Sequence, residues 1–340
     1  MIRTLTATGF RCFREIHVEP LTRVNLFVGQ NNAGKTSLLE AVELVAVGGV
    51  EGLVRSSVRR GEQILVRSEV QDEFKEHTVD PSHLFFGHEL RLETSFKVES
   101  QGETDRWVKC TIELTSTQGP KVPSLVFESH ATKRQNVQFT ISPAGGIHPG
   151  WYLPYQSQPV NFLVAEPLDP DHLGQLWDDL VLTPGESEVI SALKIIEPDV
   201  EKLAFLSENR AIIVKLKSSE ERLPLGSLGG GLRHLLALVL NLLSARGGFL
   251  LVDEIDTGLH YSVMVDMWRL LVETAKRLDV QVFATTHSLD CVRALARLRN
   301  RYPETAAEVT VHRVEKNSPK TVVYDTDEIV IAAEGHIEVR

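Results

Sequence analysis

Apolar residues follow two patterns along this chain. In "IRTLTATGF", near the start, they alternate with polar residues, whereas "RVNLFVG", "GGFLLVDE" and "VQVFATT" are almost continuously apolar. Alternation is typical of a strand with one face in water, and a short continuous run is typical of a strand covered on both faces. Residues at helical spacing follow these runs, as in "KTSLLEAVELVAVGG". Strands that alternate with helices predict an α/β fold with a mostly parallel core sheet flanked by helices.

The pattern changes between about residues 80 and 145. There "HELRLETSFKVES", "RWVKCTIELTS" and "NVQFTIS" alternate and are separated by turn-forming residues, which predicts an antiparallel β insertion. From Asp171 to about Leu206 the pattern is helical, with a break at Pro198, and "EVTVHRVE" with "KTVVYDT" predicts a closing hairpin. The predicted parts of one domain are an N-terminal lobe (1–70), the β insertion (71–165), a small helical subdomain (166–225) and a C-terminal lobe (226–340).

Composition narrows the cellular setting. The chain has 340 residues, of which 42% are hydrophobic and 24% charged, as in ordinary globular proteins. Its first residues lack the apolar core of a signal peptide, and no apolar run reaches the ~20 residues of a membrane span. Cys12, Cys110 and Cys291 are too scattered for a disulfide framework or a CxxC metal site. We therefore predict a cytoplasmic protein without a membrane partner.

The net charge of −10 weighs against a surface that binds nucleic acid throughout. Two local basic segments leave DNA contact open, although a solvated helix face is the more ordinary interpretation of each. The arginines of these segments are Arg55, Arg59 and Arg60 in the first, and Arg293, Arg297, Arg299 and Arg301 in the second.

A phosphate-binding loop lies in "GQNNAGKTS". Gly29, four residues, then Gly34, Lys35 and Thr36 form the Walker A pattern, placed between a strand and a helix as that pattern requires. Backbone N–H groups and the helix N-terminus would face the phosphates, Lys35 would reach the β and γ oxygens, and Thr36 would place its hydroxyl on Mg²⁺. The predicted nucleotide-binding residues of this loop are Gly29, Asn31, Asn32, Ala33, Gly34, Lys35, Thr36 and Ser37.

Acidic residues and a histidine end two later apolar strands. Asp253 would complete the Mg²⁺ shell, and Glu254 could orient or deprotonate the attacking water, although such a pair can also be a simple strand-end turn. His287 comes where the next strand turns into a helix, with Ser288 as its N-cap. That position suits a sensor of the γ-phosphate, and a structural histidine is the alternative.

Three consecutive glycines, Gly229 to Gly231, precede a leucine-rich helix. A helix entrance without side chains is an anion site, because bare N–H groups and the positive helix end point the same way. The chain's own phosphates are already assigned to the first loop, so we predict that "SLGGG" serves the nucleotide of another copy in a two-fold, head-to-tail homodimer. A flexible loop before a core helix is the alternative.

The motifs "GFRCF", "GQNNAGKTSLLEA", "SLGGGLRHLLAL", "LLVDEIDTGLH" and "FATTHS" follow one another in this order. The set resembles the ABC-type ATPase heads of the RecF, SMC and OLD (overcoming lysogenisation defect) group of P-loop NTPases, and among these the OLD-like AAA-type ATPases in particular. The resemblance extends from Met1 to about Asp325, with the β insertion matched only loosely. It implies ATP as the nucleotide and Mg²⁺ as the metal.

The resemblance also implies a role for individual residues. Asp253 would be the Walker B acid, Glu254 the catalytic base and His287 the switch residue. Asp256, where many relatives have Glu, and His260 would lie in the loop that crosses the dimer interface. The Q-loop glutamine is left open among Gln156, Gln158 and Gln175. The signature residues that would act in trans are Ser227, Gly229, Gly230 and Gly231.

The chain stops at Arg340, so a Toprim nuclease domain is not expected, and heptads for a long coiled coil are absent. The resemblance thus implies an ATPase head that gates a separate effector, such as a nuclease, in DNA maintenance or phage defence. A nucleotide-gated clamp with little turnover is the main alternative. The subunit of a membrane transporter and a ring-forming AAA+ motor fit the glycine loop and "GLH" less well.

Overall fold

The computed structural model describes residues 1–66, 76–116, 120–130, 134–142, 146–147, 158–165, 170–206 and 211–334. Within these ranges the strands are β1 (Ile2–Phe10), β2 (Phe13–Val18), β3 (Val24–Val28), β4 (Gln63–Val66), β5 (Glu76–Val79), β6 (Ser95–Gly102), β7 (Arg106–Thr115), β8 (Val122–His130), β9 (Arg134–Thr140), β10 (Val160–Leu163), β11 (Val200–Leu206), β12 (Ala211–Leu216), β13 (Arg222–Pro224), β14 (Phe249–Val252), β15 (Gln281–Thr285), β16 (Val309–Arg313) and β17 (Val322–Tyr324). The helices are α1 (Lys35–Val47), α2 (Gly49–Arg60), α3 (Pro170–Asp178), α4 (Pro184–Leu193), α5 (Gly230–Ser244), α6 (Met264–Leu278), α7 (Leu289–Arg301), α8 (Pro303–Ala306) and α9 (Thr326–Glu334).

These elements form two units, each built from segments that are distant in sequence. The first unit contains Met1–Leu21, Asn32–Gln158 and Val314–Thr321. The second contains Thr22–Asn31, Pro159–Arg313 and Val322–Arg340. The chain passes from the second unit to the first within the loop between β3 and α1.

The first unit is built on an antiparallel sheet in the order β2-β1-β6-β7-β8-β9. β1 and β2 form a hairpin with a two-residue turn, in which Phe10 pairs with Phe13. The aromatic rings of Phe10, Phe96 and Phe127 are buried in a row, with centroids 5.3 and 6.3 Å apart. α1 packs against β6 and β7. The strands predicted for residues 80–145 are thus confirmed, although β6 begins only at Ser95 and β8 was not singled out by the pattern.

The second unit is built on a sheet in the order β10-β14-β15-β3-β16-β17. All of its neighbouring strands run parallel except β16 and β17, which form the predicted antiparallel hairpin. Every residue of β3, β14 and β15 is buried, as their continuous apolar sequences predicted. The mostly parallel core sheet is confirmed.

The sequence-based prediction was wrong in one segment and incomplete in another. The helical pattern ends at α4, and residues 200–206 form β11, which pairs with β12 and β13 in an antiparallel sheet. Val200 and Leu203 show a helix-like spacing, but both are buried in a strand, where the register shift between Val200 and Lys202 lets residues three apart share one side. The antiparallel sheet of the first unit also includes β1 and β2, from outside the predicted insertion.

None of the helices in the described part of the chain combines the length and apolarity that a bilayer-spanning segment requires.

His312 on β16 gives the second unit a pH-dependent stability. Its side chain is fully buried, 5.6 Å from the ring of Phe27, and burial lowers its pKa from 6.5 to about 4. The unfolded chain therefore binds a proton below pH 6.5 that the folded chain accepts only near pH 4, so stability is lost as the pH falls through this window. We expect the free energy of unfolding to drop by about 2 kcal/mol between pH 7.5 and 5 from this residue alone. Urea unfolding at the two pH values checks this, and His312→Phe should remove that share of the difference.

Candidate functional site

Three of the predicted motifs meet at one edge of the second unit's sheet. β14, β15 and β3 are consecutive, parallel neighbours. They end at Val252, Thr285 and Val28, so the residues that follow each strand lie along the same carboxyl edge. In open α/β sheets this edge is where ligands bind. Asp253 and Glu254, then His287, then Gly29 thus come after three adjacent strands.

The two acidic residues after β14 are held by the end of β15. The backbone N–H of Glu254 donates to Thr285 Oγ1 at 2.9 Å, and that hydroxyl donates to Asp253 Oδ1 at 2.6 Å. Glu254 has a φ of 55°, in the left-handed region that few non-glycine residues adopt. Residues held in this region concentrate at functional sites. The turn therefore directs Glu254 away from the path of the strand.

Glu254 and His287 contact each other. His287 Nε2 lies 2.8 Å from Glu254 Oε1, and the two side chains are 43% and 42% exposed. Ser288 caps α7 by accepting from the N–H of Cys291 at 3.2 Å, which fixes the turn that carries His287. A carboxylate and an imidazole in this contact can exchange a proton or orient a water between solvent and the sheet edge.

The loop between β3 and α1 contains three residues with a positive φ. Gly29, Asn32 and Gly34 have φ values of 146°, 61° and 104°. A side chain at Gly34 would meet the ring of Phe13 and, at 2.8 Å, Cys12 Sγ, so packing also requires glycine there. Gly34 caps α1 without a side-chain hydrogen bond, which leaves the start of the helix to its backbone donors. Asn31 and Asn32 are exposed and Thr36 is half-buried, while Ala33, Lys35 and Ser37 are buried.

The structural requirement for glycine differs among the three glycines before α5. Gly229 has a φ of 100°, which favours glycine. A Cβ at Gly231 would lie 2.5 Å from the carbonyl oxygen of Gly258. Gly230, the first residue of α5, is exposed, and apart from its chain neighbours and its own helix backbone no described atom lies within 4 Å of the position of its Cβ. The fold thus accounts for Gly229 and Gly231 but not for Gly230. Ser227, three residues before Gly230 in the sequence, is also exposed.

The loop after β14 contacts both the start of α5 and the end of β15. A Cβ at Gly258 would lie 3.2 Å from the backbone nitrogen of Gly231, and His234 Nε2 lies 3.1 Å from the carbonyl oxygen of Ile255. Asp256 accepts a hydrogen bond from the Thr286 hydroxyl. His260 is exposed, with its ring centroid 4.2 Å from that of Tyr261. Asp256 therefore has a partner within its own chain, and its role across a dimer stays a prediction.

The three candidates for the Q-loop glutamine differ in their surroundings. Gln156 lies outside the described residues. Gln158 accepts a hydrogen bond from the guanidinium of the buried Arg106, and burial lowers the pKa of that guanidinium. Gln175 is exposed on α3. None of these contacts selects one of the three, so the assignment stays open.

Most arginines of the two basic segments contact carboxylates. In α2, Arg55 lies 2.6 Å from Glu51, and Arg59 and Arg60 contact Glu43 and Glu40 of α1. In α7, Arg299 lies 2.6 Å from Asp327, and Arg293 lies 3.7 Å from Asp290, while Arg297 and Arg301 are exposed. Pairing reduces the positive field that DNA would meet, which favours the solvated or structural interpretation of these helices.

Arg11 is a buried residue of the first unit whose structural role the sequence analysis did not predict. It occupies the hairpin turn of β1 and β2 with a φ of 51°, and its guanidinium is only 4% exposed. Arg11 Nε lies 2.6 Å from Glu40 Oε2 on α1, and Nη1 lies 2.8 Å from Glu62 Oε1. Arg60 Nε lies 2.6 Å from the other oxygen of Glu40. The arginine of "GFRCF" thus pairs with α1, the helix that follows the β3–α1 loop. In the sequence, the motif "GFRCF" was the one feature that pointed to Arg11.

Comparison with known proteins shows that the chain is similar to AAA-type ATPase domains. A family model described as "AAA domain" matches residues 4–144, and one described as "AAA domain, putative AbiEii toxin, Type IV TA system" matches residues 190–291. The chain is 24% identical over 348 residues to a Helicobacter pylori protein named ATP/GTP phosphatase, with 87% of each protein covered. It is 45% identical over 47 residues to the DNA replication and repair protein RecF of Idiomarina loihiensis, which covers 14% of this chain and 13% of RecF.

Alignment with solved structures shows which fold this chain has. An SMC head bound to the C-winged helix domain of ScpA aligns with a TM-score of 0.56 at 15% identity, covering 96% of this chain and 99% of that one. An SMC head with an extended coiled coil from Pyrococcus furiosus, bound to the C-terminal domain of ScpA, aligns with a TM-score of 0.52 at 12% identity, covering 99% of both. The chain therefore has an SMC-head-like α/β fold. Its sequence is similar to AAA-type ATPase domains in both halves, with a short RecF-like stretch.

Proposed function

We propose that this chain is a Mg²⁺-dependent ATP hydrolase of the ABC-type head class, OLD-like in its motifs. The observation that carries the proposal is the contact of Glu254 with His287, beside Asp253, at the sheet edge that Gly29 also follows. AAA-type family matches in both halves of the chain support it. The H. pylori relative is named for both ATP and GTP, so the choice of ATP rests on the resemblance of the motifs.

The residues fit a phosphate and a hard cation. The glycine-rich loop supplies the backbone donors, and Lys35 would bind the β and γ oxygens. Thr36 and Asp253 would hold Mg²⁺, which prefers oxygen ligands, and Asp253 is a half-buried carboxylate already oriented by a hydroxyl. The metal would neutralise the charge that develops on the phosphates.

Hydrolysis then needs a base and a group that orients it. In the proposed reaction Glu254 accepts the proton of a water whose oxygen bonds to the γ-phosphorus, while the bond to the bridging oxygen breaks and ADP leaves. His287 orients Glu254 through the 2.8 Å contact and follows the γ-phosphate as the switch residue. His287 therefore links the state of the nucleotide to α7.

The helix entrance at Gly230 supports a shared site. Gly230 is exposed, has no neighbour within 4 Å of its Cβ position and begins a helix of 15 residues that no side chain caps. We propose that this entrance binds the γ-phosphate held by a second copy, with Ser227, Gly229 and Gly231 around it. ATP would close the dimer and hydrolysis would release it, which makes the dimer a nucleotide-biased switch.

The switch would act on a separate effector, such as a nuclease, in DNA maintenance or phage defence. The SMC heads of similar fold were solved with ScpA, RecF is a replication and repair protein, and one family model carries the name of a toxin system. These names support a partner protein for this chain without identifying it. A clamp with little turnover is the alternative, and the measured hydrolysis rate separates the two. We propose a cytoplasmic site of action.

Gly230→Asp tests the shared site. Aspartate in the first turn of a helix favours folding, but its charge would repel a phosphate, so we expect a folded protein that no longer dimerises with Mg·ATP. Solution mass with and without Mg·ATP should double for the wild type and stay constant for the variant, and phosphate release should fall by at least about tenfold, the equivalent of ~1.4 kcal/mol.

Gly174→Asp is the matched control, because it adds the same charge on α3, where the Cβ would lie at an ordinary 3.7 Å from Phe205. The control should dimerise like the wild type. A wild type that hydrolyses ATP without any change in mass would contradict the shared site, and a wild type that neither binds nor hydrolyses ATP would contradict the proposed function itself.

A further inference from the structure

We propose that the hydroxyl of Thr285 is the positioning group for both Walker B carboxylates, orienting Asp253 toward the cation and Glu254 toward the water. The inference rests on the proposed function and adds a residue to it. Thr285 ends β15, the strand between β14 and β3, and its side chain is fully buried. It is not a catalytic residue, since it would act through its two neighbours.

One hydroxyl makes two different hydrogen bonds here. Its proton goes to Asp253 Oδ1 at 2.6 Å, and its oxygen accepts the backbone N–H of Glu254 at 2.9 Å. A hydroxyl has one proton to donate and lone pairs to accept, so both bonds can exist together. Donation to Oδ1 is strongest when Asp253 is ionised, which is the form that a cation requires.

The backbone of Thr285 holds the same turn. Its carbonyl oxygen accepts the N–H of Ile255 at 3.0 Å. Three consecutive residues, 253 to 255, are thus bonded to one residue of the neighbouring strand. The left-handed backbone of Glu254, with a φ of 55°, lies in the middle of this set. Strained residues persist where their surroundings over-determine them, and the Thr285 hydroxyl supplies one of the two bonds that do so.

The next residue, Thr286, makes a separate set of hydrogen bonds. The Thr286 hydroxyl donates to Asp256 and accepts the N–H of Ser288 at 2.9 Å. Thr286 therefore connects the later loop to α7, whereas the Thr285 hydroxyl bonds to the Walker B pair, Asp253 and Glu254. Groups that orient metal ligands typically account for ten- to a hundredfold in metal affinity or activity.

Thr285→Val separates the hydroxyl from the rest of the side chain. Valine keeps the branched shape and the backbone bond to Ile255 but removes both hydroxyl bonds. We expect kcat for Mg·ATP hydrolysis to fall ten- to a hundredfold and the Mg²⁺ concentration for half-maximal activity to rise about tenfold. Affinity for a fluorescent ATP analogue without Mg²⁺ should stay within twofold of the wild type, while the tightening of that affinity by Mg²⁺ should be lost.

Two further variants keep the test decisive. Thr285→Ser retains the hydroxyl and should recover most of the kcat and the wild-type Mg²⁺ dependence. Thr274→Val, at a buried threonine on α6, should leave both unchanged. If Thr285→Val keeps the wild-type kcat and Mg²⁺ dependence, Thr285 only packs the strand end and the inference is overturned. A wild type without Mg²⁺-dependent hydrolysis would instead overturn the proposed function.

Discussion

Glu254→Gln is expected to lower kcat for ATP hydrolysis by about a hundred- to ten-thousandfold, the usual contribution of a positioned general base. Glutamine preserves the shape of the side chain and can still contact His287, but it cannot take up the proton of a water. Asp253, Lys35 and the phosphate loop are untouched, so the affinity for Mg·ATP should stay near the wild-type value. The variant should therefore hold ATP rather than turn it over.

Two measurements check this expectation together. Phosphate release gives kcat, and light-scattering mass in Mg·ATP shows whether the trapped nucleotide holds two copies together. Glu273→Gln is the matched control, because Glu273 is an exposed carboxylate on α6 that pairs with Arg269, four residues earlier on the same helix. A Glu254→Gln protein that hydrolyses ATP at the wild-type rate would assign the base to another residue.

Arg11→Met is expected to lower the free energy of unfolding of the first unit by about 3–5 kcal/mol, the typical effect of removing one partner of a buried ion pair. Methionine keeps much of the length and apolar stem of arginine, so the loss reports the guanidinium. Glu40, 1% exposed, would keep only Arg60, and Glu62 would lose its partner at 2.8 Å. Urea unfolding measures the change.

Arg55→Met serves as the control for Arg11→Met. Arg55 pairs with Glu51 four residues away on the surface of α2, where such pairs contribute less than about 1 kcal/mol. The double variant Arg11→Met, Glu40→Met should be more stable than the sum of the two single changes predicts, because the buried Glu40 carboxylate is removed together with its Arg11 partner. Equal losses for Arg11→Met and Arg55→Met would show that the buried network carries no special weight.

The sheet edge that carries the candidate site could be predicted from local sequence. The continuous apolar runs of β3, β14 and β15 identify buried parallel strands, and the polar residues directly after them must then share one edge. Glu254 and His287 were predicted at that edge for this reason. Their 2.8 Å contact needed the strand order, which places β14 next to β15.

Other features depend on partners that local sequence does not reveal. Residues 200–206 have apolar spacing compatible with a helix, and they form β11 because β12 offers an edge to pair with. Arg11 reads as a surface residue in a turn until Glu40 and Glu62 are brought to it by the fold. Thr285 looks like one more β-branched strand residue, since its role depends on the neighbouring strand.

The order of the strands has a consequence for how the chain is made. β3 lies between β15 and β16, so Asn25 bonds to Val282, 257 residues later, and Thr22 bonds to Glu308, 286 residues later. The first unit also joins early and late segments, because the N–H of His17 donates to the carbonyl oxygen of Pro319. Early segments must therefore wait for late ones during vectorial synthesis, and long-range closure of this kind slows folding. The nascent chain would expose the apolar strand β3 until β15 and β16 have been synthesised, and exposed apolar strands of this kind promote aggregation.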